Sequence, residues 1–173
     1  MTPLALVGLP GSGKTTIGKH LARRLGLPFV DLDTRIEQEL GCSIRAYFEA
    51  QGEAAFREVE SSTLARLAGE GPSVLSTGGG IVLLPQNREV LRRQCRVVYL
   101  RASPEDLFQR LRHDRKRPLL QVADPLERLR SLHAQRAPLY EEVAEVTVEA
   151  GRERVQPVVE AILSQLGPAT PGA

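Results

Sequence analysis

Apolar residues recur along this chain in two rhythms: short runs, and longer stretches where they return every third or fourth position. Leu4-Ala5-Leu6-Val7 is a short apolar run that predicts a buried strand. After a glycine-rich break, Ile17, Leu21 and Leu25 fall four apart, with Ala22 beside them and Lys19, His20, Arg23 and Arg24 on the other side. That spacing predicts an amphipathic helix, closed by Gly26 and Pro28. Pro28 to Asp33 reads as a short strand ending in two acids, with Asp33 also placed to cap a helix starting near Thr34. Two short helices follow, broken at Gly41 and around Gln51-Gly52, and then a longer one with Phe56, Val59, Thr63 and Leu67 along one side. Ser73 to Thr77 and Arg96 to Leu100 are further strands. Ser103-Pro104-Glu105-Asp106 and Asp124-Pro125-Leu126-Glu127 are helix starts, each with a polar cap and proline at the first position. The second of these helices carries Leu129 and Leu132 inward and is expected to end around Arg136 to Tyr140. Glu145 to Val148 is the last strand, Val155 to Leu166 a closing helix, and residues 167–173 a disordered tail rich in Gly and Pro.

Composition narrows this picture without redirecting it. No repeat or long linker divides the 173 residues, so one domain over 1–173 is expected, with a core of ordinary size. A net charge of +2 gives no global attraction to nucleic acid or a membrane, and four Phe, three Tyr and no Trp disfavour a base-stacking surface. Cys42 and Cys95 are far apart and in no metal-ligand spacing, so both are expected to be reduced thiols. The N-terminal apolar run is interrupted at once and lacks a basic leader, and no run is long enough to span a bilayer. A cytoplasmic protein is the expectation.

The chemistry begins at Gly8-Leu9-Pro10-Gly11-Ser12-Gly13-Lys14-Thr15, a Gly-x-x-x-x-Gly-Lys-Thr sequence between a strand and a helix. Such a P-loop curls successive backbone N–H groups into an anion-sized nest at a helix N-terminus. Lys14 can reach the terminal phosphates of a nucleotide, and the Thr15 hydroxyl can ligate Mg²⁺. Two carboxylates at the next strand end, Asp31 and Asp33, lie where an open parallel sheet binds ligands. Asp31 suits a role at Mg²⁺, since neither Val74 to Thr77 nor Val97 to Leu100 carries the acid that many P-loop proteins place there. Asp33 suits the acceptance of a proton from an attacking hydroxyl. Arg57, with Glu53 four residues before and Glu60 three after, reads by itself as a helix-surface ion-pair partner. Gly78-Gly79-Gly80 at a strand end implies a close backbone approach to a ligand or a neighbouring element. Arg110 to Pro118 is the most basic stretch, fitting either a solvated face or a lid that closes over nucleotide.

Taken in order, the P-loop, Asp31-Leu32-Asp33, Phe56-Arg57-Glu58-Val59-Glu60, Gly78-Gly79-Gly80, Arg117-Pro118-Leu119 and Arg136-Ala137-Pro138-Leu139-Tyr140 resemble the shikimate kinases. The resemblance implies an α/β, three-layer P-loop kinase fold with a five-stranded parallel sheet flanked by helices, related to the nucleoside-monophosphate kinases. It implies transfer of the γ-phosphoryl of ATP to the 3-hydroxyl of shikimate, toward chorismate and the aromatic amino acids. By the same resemblance Asp33 is the base, Lys14 and Arg117 act with Mg²⁺ on the transferring phosphoryl, and Gly11, Ser12, Gly13, Lys14, Thr15, Thr16, Arg110 and Arg117 bind ATP. Asp33, Arg57, Gly79, Gly80 and Arg136 bind shikimate, and Thr15 and Asp31 hold the metal. The substrate-binding region spans about 32–60 and the lid about 112–124. A monomer is expected, acting on two small molecules, with no nucleic acid or membrane partner. The adenine loop near Gly151-Arg152-Glu153-Arg154 departs from the family pattern, which leaves the adenine contacts there open. Gluconate kinase is the rival enzyme, opposed by Arg57, the triple glycine and the Arg136 motif. A non-catalytic nucleotide-binding module is opposed by the presence of every catalytic side chain.

Overall fold

The structure, a computed structural model, describes residues 2–112 and 122–167. Its centre is a sheet of five strands, β1 (Leu4–Val7), β2 (Phe29–Asp31), β3 (Val74–Ser76), β4 (Arg96–Arg101) and β5 (Val146–Glu149). Their order is β2-β3-β1-β4-β5, and every neighbouring pair is parallel. Parallel neighbours need crossover connections, which the helices supply. These are α1 (Lys14–Leu25), α2 (Leu32–Leu40), α3 (Ile44–Gln51), α4 (Glu53–Ala68), α5 (Pro85–Gln94), α6 (Pro104–Leu111), α7 (Pro125–Val143) and α8 (Val155–Leu166).

β1 is the middle strand, and all four of its residues are buried. Because successive side chains leave a strand on opposite faces, its short apolar run serves two cores at once. Leu4 and Leu6 join Ile17, Leu21, Val98, Leu100, Val158 and Ile162 in the layer under α1 and α8. Ala5 and Val7 join Leu32, Ile36, Leu64, Leu91, Tyr99, Leu107, Leu129 and Tyr140 in the layer under α2 and α4–α7. The helix–sheet–helix sandwich expected from the motifs is thereby formed. All five carboxyl strand ends emerge along one rim, which gathers the P-loop, Asp31, the triple glycine, Ala102 and Ala150.

Several boundaries move from their expected places. The second strand stops at Asp31 rather than Asp33, because Asp31 itself caps α2, its Oδ1 accepting from the Thr34 N–H at 3.0 Å. Asp33 therefore sits in the first turn of α2 and is not the cap. The stretch after the triple glycine, where the apolar pattern predicts no element, forms a turn and then α5. Val90 and Leu91 are the only non-proline apolar residues in α5, too few for a visible period. α7 does not end around Arg136 to Tyr140 but runs through Pro138 to Val143. Pro138 cannot donate to the Ala134 carbonyl, and burial of Tyr140 and Val143 beyond it offsets that loss. The expected tail lies almost wholly in residues 168–173, outside the described residues.

Candidate active site

The loop from Gly8 to Gly13 wraps the end of β1 and delivers α1. Gly13 occupies the N-cap of α1 at φ +94°, a left-handed conformation that disfavours a side chain, and no side chain caps the helix. A helix start without a side-chain cap is the arrangement that phosphate recognition uses. Lys14 is largely buried, and its Nζ donates to the carbonyls of Gly8 at 2.6 Å and Leu9 at 3.1 Å, which hold the ammonium inside the loop. Ser12 is buried with an unpartnered Oγ in the same loop. From the other side α6 leans on the loop: a Cβ at Gly11 would fall 2.9 Å from Cγ of Leu111. Arg110 donates through Nη1 to the Gly11 carbonyl at 2.9 Å and through Nη2 to the carbonyl of Ala150. The P-loop, α6 and the end of β5 are thus tied by one guanidinium. Beyond it, Arg152 pairs with Asp106 at 2.9 Å, so the loop after β5 is anchored to α6.

Beside the P-loop opens a cleft of about 410 Å³, lined by Pro10, Gly11, Gly13, Lys14, Thr15, Thr16, Asp31, Asp33, Ser76, Thr77, Gly78, Gly79, Arg110 and Leu111. Thr15 Oγ1 donates to Asp31 Oδ2 at 3.0 Å while the opposite oxygen caps α2. A hydroxyl and a carboxylate side by side at a phosphate nest are hard oxygen donors of the kind Mg²⁺ takes. Among the described residues no cluster of three or more His, Cys, Asp or Glu could form a protein-only cage. Mg²⁺ itself takes few protein ligands and completes its shell with water and phosphate oxygens. Asp33 lies on the same wall. Burial, and then the adjacent Asp31 carboxylate, raise its pKa above the usual 3.8, opposed by Lys14 and Arg57. A carboxylate made more basic in a cleft is suited to accepting a proton.

The triple glycine leaves β3 with three side chains pressed against it. A Cβ at Gly78 would fall 3.0 Å from Oδ1 of Asp33. At Gly79 it would fall 3.2 Å from Nη1 of Arg136, and at Gly80 2.6 Å from Nη2 and 2.7 Å from Cζ of Arg57. These glycines serve space rather than an unusual φ, since none of the three has a positive φ. Asp33, Arg57 and Arg136, scattered over more than a hundred positions of sequence, converge here on one loop.

Arg57 keeps its expected helical partners as well, meeting Glu60 Oε1 at 2.9 Å and Glu53 at 3.6 Å. It is no surface residue, because its side chain is 15% exposed and that of Glu60 only 1%. Burial raises the pKa of Glu60, and the Arg57 charge opposes that shift. The Nε atoms of both Arg57 and Arg136 are buried and without a hydrogen-bond partner. Two guanidinium groups with spare donors beside an acid make a site for a planar anion that also carries hydroxyls.

The Phe-Arg-x-x-Glu pattern and the arginine motif hold two further residues of the site. Glu60 braces Arg57, signalled only by its i,i+3 spacing. Tyr140 donates its hydroxyl to the Gly79 carbonyl at 2.5 Å. Ser76 and Thr77 line the cleft without any sequence signal beyond their place at a strand end. Arg117 and most of the expected lid at 112–124 lie outside the described residues.

Comparison with known proteins identifies the family. The family model for shikimate kinase matches residues 10–167. A shikimate kinase of Paracidovorax citrulli is 54% identical over 164 residues, covering 93% of this chain and 90% of that protein. Among solved structures, shikimate kinase from Acinetobacter baumannii in complex with shikimate superposes with a TM-score of 0.91 at 42% identity, covering 96% of this chain and 93% of that one. A gluconokinase from Sinorhizobium meliloti, at 19% identity and a TM-score of 0.59 over 95% of this chain and 90% of that one, shares the fold alone.

Proposed function

The chain belongs to the shikimate kinase family, and from that premise we propose a role for each residue in phosphoryl transfer from ATP to the 3-hydroxyl of shikimate. The products are shikimate 3-phosphate and ADP, a step toward chorismate and the aromatic amino acids. The observation that carries this reading is the convergence of Asp33, Arg57 and Arg136 on the triple glycine, across one cleft from the P-loop. Two free Nε donors there meet the needs of a small carboxylate, which forked guanidinium groups recognise in pairs. Loop N–H groups of Gly79 and Gly80 take the ring hydroxyls. The residues 32–60 that carry Asp33 and Arg57 form the acceptor-binding region.

At the donor side Gly11, Ser12, Gly13, Lys14, Thr15 and Thr16 hold the phosphates, and Arg110 borders the nucleotide. Thr15 and Asp31 would hold Mg²⁺, which when bound supplies charge neutralisation at the phosphates. Asp33 accepts the hydroxyl proton as that oxygen bonds to the γ-phosphorus and the bond to the bridging oxygen breaks, releasing ADP. Lys14 and Arg117 stabilise the charge on the transferring group. The proposed working unit is a monomer acting on these two small molecules. An ATP-dependent enzyme with two free thiols fits the cytoplasm, and among the described residues no helix is long and apolar enough to cross a membrane.

An ADP-release assay offering shikimate, gluconate and nucleoside monophosphates tests the acceptor. Turnover with shikimate at least a hundredfold above the others is expected; preference for gluconate or a nucleotide overturns the proposal.

A further inference from the structure

Tyr140 is completely buried, its ring 5.1 Å from that of Tyr99 under the sheet. Phenylalanine would fill that space equally well, so the hydroxyl needs its own explanation. A buried hydroxyl is costly unless it is bonded, and this one donates to the carbonyl of Gly79 at 2.5 Å. That bond completes a pattern in the glycine loop. The carbonyl of Gly78 accepts from Ile81 N–H at 3.1 Å, and that of Gly80 accepts from Leu83 N–H at 3.1 Å. All three carbonyls are therefore held from behind. The N–H groups of Gly78, Gly79 and Gly80 donate to nothing among the described residues.

No peptide bond here is cis, so the N–H of Gly80 is antiparallel to the Gly79 carbonyl within one rigid plane. Whatever fixes that carbonyl also fixes where the Gly80 N–H points. Arg136, one helical turn before Tyr140, lies against the same phenol oxygen and 3.2 Å from the position of a Gly79 Cβ. One turn of α7 thus carries a carboxylate-binding guanidinium and the hydroxyl that orients the neighbouring peptide.

We propose that Tyr140 is a positioning residue for the acceptor: by holding the Gly79 carbonyl, its hydroxyl presents the Gly80 N–H to shikimate in register with Arg136. The proposal rests on the shikimate kinase reading above. Its effect is expected on the acceptor, since the peptide it holds belongs to the glycine loop on which Asp33, Arg57 and Arg136 converge.

Y140F removes only the hydroxyl. Initial rates for it and the native protein, with shikimate and ATP varied in turn, should show a roughly three- to tenfold rise in KM for shikimate, with KM for ATP and kcat within twofold. A shikimate KM within 1.5-fold of native in a folded variant overturns the proposal, as does an equal rise for both substrates. If the native protein itself fails to phosphorylate shikimate, the functional reading has failed instead. A second measurement needs no variant. In the native protein the Gly80 amide should exchange with solvent at least tenfold more slowly once shikimate is added, and be unaffected by ATP. Unchanged exchange with shikimate overturns the proposal even if Y140F does not fold.

Discussion

Alanine at position 80 separates the acceptor site from the stability of the fold. The backbone there has no positive φ, so alanine meets no conformational penalty. Its methyl group would lie 2.6 Å from Nη2 and 2.7 Å from Cζ of Arg57, where ordinary contact needs about 3.5 Å. The guanidinium must therefore retreat by about 1 Å. That movement is cheap for the fold, since the obstacle is the far end of a flexible side chain. It is costly for the site, because the same guanidinium pairs with the buried Glu60 at 2.9 Å and is assigned to the shikimate carboxylate. Hydrogen bonds to charged groups contribute about 1.5–3 kcal/mol each, and a misplacement of about 1 Å can remove most of one. The expected loss is about 2–3 kcal/mol in acceptor binding, or roughly 30- to 150-fold in kcat/KM for shikimate. Rates of ADP release at saturating ATP measure it, with the ATP constant and a thermal melt as controls. KM for ATP should stay within twofold and Tm within a few degrees. A G80A enzyme that melts normally and keeps kcat/KM for shikimate within threefold would show that Arg57 does not meet the acceptor where the triple glycine leaves room for it.

The other outcomes concern the base and the second arginine. Asp33→Asn should lower kcat by about 10²–10⁴-fold, and near-native turnover would remove Asp33 from proton transfer. Asp33 must be ionised to act, and burial raises its pKa, so the acidic limb of kcat/KM should lie above the usual aspartate value of 3.8. A limb at or below that value contradicts the assignment. In stability the sign is the reverse. Asp33 and Glu60 both have raised pKa values, so the folded chain keeps protons that the unfolded chain has released. Their contribution is fully present below the ordinary carboxylate values and is lost as pH rises through the raised ones, which denaturant titrations across that window will register. Arg136→Ala should raise KM for shikimate about 10- to 100-fold and leave KM for ATP nearly unchanged; equal losses for both would place Arg136 outside the acceptor site.

Much of this site was legible in the chain itself. The Gly-x-x-x-x-Gly-Lys-Thr sequence carries its function in local backbone geometry, since a nest and a helix N-terminus need only consecutive residues. The apolar run of β1 announces a strand buried on both faces for the same local reason. What spacing could not supply was distance between segments. Arg57 satisfied every rule for a surface ion pair, and its two glutamate partners are indeed there. Only the packing of α4 against the strand ends buries it and turns its guanidinium to the glycine loop. The placing of Asp33 was settled one residue upstream, where Asp31 takes the cap and leaves Asp33 in the first turn of α2. α5 was invisible because it has too few apolar positions to set a period, and α7 outran its expected end because buried residues beyond Pro138 hold it.

The sequence by itself placed a phosphate-nest motif after β1 and, through the order of its motifs, showed which family the chain resembles. Tertiary structure decided which face each arginine presents, why three glycines in a row are needed, and what Tyr140 holds. The physical reason is range. Backbone nests and helix caps are set by neighbours in the chain, whereas a binding site for a hydroxylated anion is set by side chains that meet only when the sheet brings its strand ends together.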